Sequence, residues 1–272
     1  MSLNPTTALP TDTLRQLEEK ILNALNGGAL ASSVTGESLA DIEATTFHSY
    51  IELNCQPGSP ASLTHVGCGS AETITTNAWV TAVGNDWPTA RFNSGTTINN
   101  YTDIPNVGSG SNSSFNFARP TRMAAAIALP VQTGIRAWIA YVNSVTLGDL
   151  RSYDNPSSSG NHKAAIGFRF SVSAGDTTWM AYVGDGGAET VETTGIAPSA
   201  TVNQLMEIVW EKNMPAVKFY IDGVLTNTVS THLPNAASAS ISFDIAALNT
   251  LGGAGTAVAL NFSFVHWWQY RA

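Results

Sequence analysis

The chain has 272 residues, 43% of them hydrophobic and only 12% charged, with a net charge of −8. That length suits one large β domain with or without an appendage, and the apolar share supplies a sizeable core. An acidic chain with 12 scattered basic residues has no Lys/Arg cluster to follow phosphates, which excludes a nucleic-acid partner, and its longest apolar runs, such as Met123–Pro130, are far shorter than the ~20 residues of a membrane-spanning helix.

In chain order, residues 1–46 are expected to form an N-terminal arm. Pro10-Thr11-Asp12-Thr13 reads as a helix start, with Thr13 and Gln16 at capping-box spacing. Leu14, Leu17, Ile21, Ala24 and Leu25 then recur at helical spacing until Asn26-Gly27-Gly28 stops the run. An amphipathic helix over about 12–26 is marginal alone in water, so Leu14, Leu17, Ile21 and Leu25 need a partner surface. Its own domain and a sister subunit both qualify. Met1-Ser2-Leu3-Asn4-Pro5 lacks a charged n-region and an apolar h-region, so no secretory signal is expected. Without one, Cys55 and Cys68 are expected as free thiols.

From Phe47 the period changes to two, and 47–272 is expected to be one sandwich whose part 47–120 is irregular and loop-rich. Arg136, Trp138, Ala140 and Val142 alternate with Ile135, Ala137, Ile139 and Tyr141, apolar on both sides, as in a central strand. Ile166, Phe168, Phe170 and Val172 share one face, as do Val217, Phe219 and Ile221, and later Val258, Leu260, Phe262 and Phe264. Asp185-Gly186 and Asp222-Gly223 sit between strand patterns and predict type I′ hairpins. Polar runs at Gly108–Ser114 and Pro156–Asn161 read as loops. Many short strands with frequent turns mean an all-β sandwich or barrel.

Several blocks then recur in order: Ile166-Gly167-Phe168-Arg169-Phe170, Trp179 before Gly184-Asp185-Gly186, Glu192–Ile196, Gln204–Glu211, and Val217-Lys218-Phe219-Tyr220-Ile221-Asp222-Gly223-Val224-Leu225, closed by Thr231-His232-Leu233-Pro234. With them, the stretch from about Ala164 to Tyr270 resembles the concanavalin A-like, laminin-G-like jelly rolls of tailed-bacteriophage structural proteins. The resemblance implies an antiparallel jelly-roll β-sandwich. It also implies a bacteriophage virion structural protein on the particle surface, not an enzyme: a capsid decoration (cement or head-fibre) subunit or a short tail-fibre subunit. Such a subunit would dock through its arm onto major capsid or tail proteins, as a homo-oligomer of trimer type. The alternative it implies is a lectin-like module that recognises host glycan, and behind that a polysaccharide depolymerase. The closing strand departs from that group, ending in Val265–Tyr270 without the acidic residue and Tyr that are usual there.

No catalytic set emerges. Glu207 and Glu211 lie four apart on one strand face, about 13 Å by strand rise, too far for either two-acid glycosidase geometry. Val209 stands between them, where a laminarinase-like Glu-x-Asp-x-Glu strand has Asp. No nucleophile elbow or phosphate-binding loop occurs, and no cofactor is expected. His48, Cys55, His65 and Cys68 lack the paired Cys-x-x-Cys of a zinc site. Asp176, Asp185 and Asp222 are candidates for rim calcium, although turn duty accounts for the last two. No metal is expected. Trp79, Trp87, Trp267 and Trp268 are the aromatic candidates for a glycan platform or an interface. Neighbours in a strand point to opposite faces, so one of Trp267 and Trp268 should leave the core.

Overall fold

The period-two runs pair into two antiparallel sheets. A computed structural model describes residues 47–54, 78–79, 89–94, 96–105, 117, 119, 121–143, 150, 152–158, 162–210, 215–235, 242–251 and 257–270. Its strands are β1 (Phe47–Asn54), β2 (Ala78–Trp79), β3 (Ala90–Asn93), β4 (Tyr101–Pro105), β5 (Thr121–Ala128), β6 (Ile135–Val142) and β7 (Ala164–Ser171). A 3₁₀ turn (Val172–Ala174) follows, then β8 (Met180–Asp185), β9 (Glu189–Thr193), β10 (Gln204–Trp210), β11 (Val217–Ile221), β12 (Val224–Val229), β13 (Ser242–Asn249) and β14 (Ala259–Tyr270). The expected arm, with Leu14, Leu17, Ile21 and Leu25, lies outside the described residues. So do Cys55, His65, Cys68, Trp87 and Glu211.

An eight-stranded sheet runs β12-β11-β10-β5-β14-β3-β2, with β1 also paired to β14, and a six-stranded sheet runs β4-β13-β6-β7-β8-β9. Their facing sides enclose one apolar core that includes Met123, Ile127, Ile139, Tyr141, Ile166, Phe168, Ile208, Phe219, Phe262 and Trp267. Rings cross the gap between sheets. Phe168 on β7 meets Phe219 on β11 edge-on at 5.2 Å, and Tyr141 on β6 stacks on Trp267 of β14 at 6.1 Å. Such pairs add to the stabilisation from buried ring area. The all-β sandwich expected from the alternation, and the jelly roll that the resemblance implied, are therefore the observed fold.

Three local expectations are corrected. First, β14 carries a bulge between Phe262 and Phe264, which oppose Ile127 and Ala126 in turn. The extra residue, Ser263, reverses the alternation. Phe264 is thus half-exposed beside the His266 ring at 4.8 Å, while Val265 and Trp267 enter the core. Second, Val172 leaves the β7 face for the 3₁₀ turn and is exposed. Third, Asp222 (φ 52°) and Gly223 (φ 76°) are both left-handed, as type I′ requires, but at the other hairpin only Gly186 (φ 95°) is. That single positive φ is the type II′ pattern, tied down by Asp185 Oδ1 accepting from the Gly187 and Ala188 N–H groups.

The Tyr141 hydroxyl is a core group without a hydrogen bond among the described residues. Tyr141 is fully buried, and burial pushes its pKa up. Removing an unsatisfied buried hydroxyl relieves a desolvation cost of about 1–3 kcal/mol. Tyr141→Phe should therefore raise the urea midpoint in equilibrium unfolding. A fall in the midpoint would mean that the hydroxyl is bonded.

Candidate ligand-binding site

Both faces of β6 and β7 are buried, yet only one faces the other sheet. The positions pointing away are Arg136, Trp138, Ala140 and Val142 on β6 and Ala165, Gly167, Arg169 and Ser171 on β7, in register as Arg136↔Ser171, Trp138↔Arg169 and Ala140↔Gly167. Here Trp138, Ala140, Val142, Ala165 and Tyr182 form a second apolar cluster with Leu150. Leu150 and residues 152–158 lie over this outer face as a strap, and Pro156 and Ser157 within it are buried.

Buried backbone groups need partners, and the outer face supplies them. Trp138 Nε1 donates to the Tyr153 carbonyl at 3.3 Å, and the Ser157 N–H donates to the Tyr182 hydroxyl at 3.0 Å. Ser157 Oγ donates to the Lys163 carbonyl at 2.7 Å. Desolvation beneath the strap is the main reason that the Tyr182 pKa is pushed up to about 12. Gly184 is required at this contact, since a Cβ there would stand 2.0 Å from Ser157 Oγ and 2.8 Å from Ser157 Cβ.

At the Arg136 end the strap is held by charge. Arg169, with side-chain exposure of 5%, grips Asp176 through Nε and Nη2, each bond 2.9 Å. Its Nη1 donates to the Asp154 carbonyl at 2.7 Å and to Asn155 Oδ1 at 2.6 Å. Asp176 also accepts from the Ser171 N–H at 2.9 Å. Asp154 Oδ1 accepts from Arg136 Nε at 2.6 Å and from the Ser171 hydroxyl. Ser173 Oγ reaches both Asp154 oxygens at 3.2 Å and takes a 3.0 Å bond from Arg136 Nη2. Partial burial raises the Asp154 pKa, but the bonds from Arg136, Ser171 and Ser173 and the Arg136 charge outweigh it. The carboxyl is held below the ordinary range. Asp154 remains 27% exposed, between half-exposed Tyr153 and Asn155. This corner is a fixed, ionised acceptor that opens to solvent.

The residues singled out from the sequence fall elsewhere. Trp267 is buried in the core and serves no surface; Trp79 lies on β2 and Trp268 on β14, beyond Trp267. Glu207 faces away from the core on β10 and pairs with Arg122 at 3.2 Å. The calcium candidates do not converge: Asp176 holds Arg169, Asp185 caps its own turn, and Asp222 Oδ1 accepts from the Leu205 N–H at 2.8 Å. No grouping of three His, Cys, Asp or Glu side chains suited to a metal occurs among the described residues. Sequence reading missed Arg136, Arg169 and Asp154. Its available signal was a lone Arg on the apolar face of each of two neighbouring strands.

No protein-family model matches the sequence, and no curated protein matches it. Solved structures do resemble it. A protein of unknown function from Shewanella oneidensis MR-1 aligns over 99% of this chain and 99% of its own, at 13% identity and a TM-score of 0.56. An apo Crh5 transglycosylase aligns over 84% of this chain and 86% of its own, at 14% identity and a TM-score of 0.47. A Bacillus licheniformis β-glucanase aligns over 72% of this chain and 91% of its own, at 15% identity and a TM-score of 0.44. Likeness at such identity shows the fold alone, a concanavalin-like jelly roll.

The functional expectation is corrected. The sandwich by itself assigns no role, and solved structures similar to this chain include glucanases and transglycosylases; the phage-virion role and the exclusion of enzymatic chemistry are withdrawn. The physical reason lies in what the recurring blocks encode. Phe219-Tyr220-Ile221-Asp222-Gly223 is what the β11–β12 hairpin demands: alternate buried rings and a turn with two positive φ angles. Those blocks mark the sandwich and not a particle.

Asp154 sets a pH dependence. Its folded pKa lies below its unfolded value of about 3.9, so its contribution to stability is complete above that value and is lost as pH falls through the folded pKa. In thermal unfolding, Asp154→Asn should lower the midpoint at pH 6, and the gap to the unsubstituted protein should begin to narrow as pH falls below about 3.9 and close below the folded pKa. A gap that persists unchanged to the lowest pH would show that the carboxylate charge does not hold the strap.

Proposed function

We propose that the protein recognises a glycan at the open corner of the six-stranded sheet's outer face, formed by Arg136, Tyr153, Asp154, Asn155 and Ser173. One observation carries this reading: the Asp154 carboxylate is ionised, part-exposed and already oriented by Arg136, Ser171 and Ser173. A sugar offers hydroxyls that both donate and accept. Asp154 Oδ2 takes a single bond, from Ser173 at 3.2 Å, and so keeps acceptor capacity towards solvent. Ser173, whose hydroxyl proton is directed to Asp154, adds a further acceptor. Since Arg169 fixes the strap that carries Tyr153, Asp154 and Asn155, binding costs little further ordering.

Glycan processing is the second reading, favoured by two carboxylates meeting at one residue. Asp154 bonds the Ser171 hydroxyl and Asp176 bonds the Ser171 N–H, and two acids facing one site are what glycoside hydrolysis uses. The bidentate hold of Arg169 on Asp176 and the depressed pKa of Asp154 both favour acceptors over a proton donor, which is why recognition ranks first.

Affinity electrophoresis through gels containing mixed-linkage β-glucan, laminarin or xylan tests the reading. At least one polymer should retard the protein. Asp154→Ala and the milder Ser173→Ala should weaken that retardation, the former by about tenfold or more. Glu207→Gln, on the opposite sheet, should leave it unchanged. Retardation that survives Asp154→Ala, or retardation by none of the polymers, would exclude this site. Release of reducing ends by the unsubstituted protein, abolished in Asp154→Asn, would promote the second reading over the first.

A further inference from the structure

We infer that the corner selects neutral glycans and rejects acidic ones. The inference rests on the recognition reading above and specifies its ligand class. Among the described residues the corner brings together four charged groups, Arg136, Arg169, Asp154 and Asp176, which balance in number but not in placement. Side-chain exposure is 5% for Arg169, 5% for Asp176 and 12% for Arg136, against 27% for Asp154. Arg169 and Asp176 are equally buried, and Asp154 is more exposed than the Arg136 that pairs with it, so the charge presented to an incoming ligand is the negative one.

Their bonding strengthens that polarity. Arg169 spends Nε, Nη1 and Nη2 on Asp176, the Asp154 carbonyl and Asn155. Arg136 spends Nε on Asp154 and Nη2 on Ser173. Recognition of a carboxylate or sulfate sugar needs a guanidinium fork turned towards the ligand, and Arg169 has its fork closed on Asp176. What faces outward is an acceptor with a flanking hydroxyl, complementary to the hydroxyl donors of a neutral sugar. The overall charge of −8 adds a long-range bias against polyanions. A site that meets its ligand by hydroxyl hydrogen bonds should also be nearly indifferent to salt.

Binding of mixed-linkage β-glucan (neutral) and polygalacturonate (acidic) to the full chain should be measured at about 0.01 M and about 1 M salt, where the screening length falls from roughly 30 Å to roughly 3 Å. The neutral polymer should bind with little change between the two conditions, and the acidic one should bind at least about tenfold more weakly at low salt. Asp154→Asn removes the outward charge and should narrow that preference. Tighter, salt-sensitive binding of polygalacturonate would overturn the ligand class while leaving glycan recognition intact. A preference unchanged in Asp154→Asn would overturn the role of this carboxylate in selection. Should laminarin or xylan be the neutral polymer that binds, it takes the place of mixed-linkage β-glucan in this comparison. Failure of every neutral polymer and of polygalacturonate to bind would remove the recognition reading itself, and this inference with it.

Discussion

A guanidinium in a strand buried on both faces has to be answered, and the answer shapes this molecule's outer surface. Arg169 points away from the core into a region where water does not reach it. A buried charge without partners costs several kcal/mol, and even a well-made pair roughly breaks even against apolar residues. The Arg169–Asp176 pair is therefore better understood as a constraint than as a source of stability. To satisfy the remaining Arg169 donors, the chain must bring the Asp154 carbonyl and the Asn155 amide oxygen to one spot. Once these are fixed, the strap has one course over the sheet, and Trp138 and Tyr182 can close their own hydrogen bonds against it.

The consequences run outward from that contact. A strap pinned at Arg169 places the Asp154 side chain beside Arg136, Ser171 and Ser173, which keep it ionised and oriented. The same strap covers the aromatic pair Trp138 and Tyr182, 5.1 Å apart and edge-to-face, so the open part of the face is its Arg136 corner. Local sequence fits this course. Gly184 leaves room for Ser157, and Gly175 (φ 80°) lets the chain turn after the 3₁₀ segment so that Asp176 comes back to β7.

Much of the sandwich was legible in the sequence because strand alternation records burial directly. β6, β7 and β11 carry their apolar residues where the two-fold period places them, and the type I′ hairpin at Asp222-Gly223 follows from its dipeptide. The bulge at Ser263 was not legible. Phe264 and Val265 are both apolar, so the sequence does not say which of them enters the core, and only pairing with Ile127 and Ala126 reveals it. The candidate site was hidden for a different reason. Pro156–Asn161 read as a polar loop, and nothing local in Tyr153-Asp154-Asn155 says that an Arg more than a dozen residues later will bond to the Asp154 carbonyl and the Asn155 side chain. Aromatic residues drew attention to Trp267, where the useful clue was the charge at Arg169 in an otherwise apolar strand. The virion reading failed because ordered blocks that define a sandwich carry no information about what is built on it.

The account stands on Arg169 holding the strap so that Asp154 is presented. Amide hydrogen exchange of the full-length protein bearing Arg169→Met tests this most directly. The account predicts that residues 152–158 lose protection while β10, β11 and β14 keep theirs, because the loss of the clamp frees the strap without opening the core. Protection of 152–158 that remains at the level of the unsubstituted protein would contradict it.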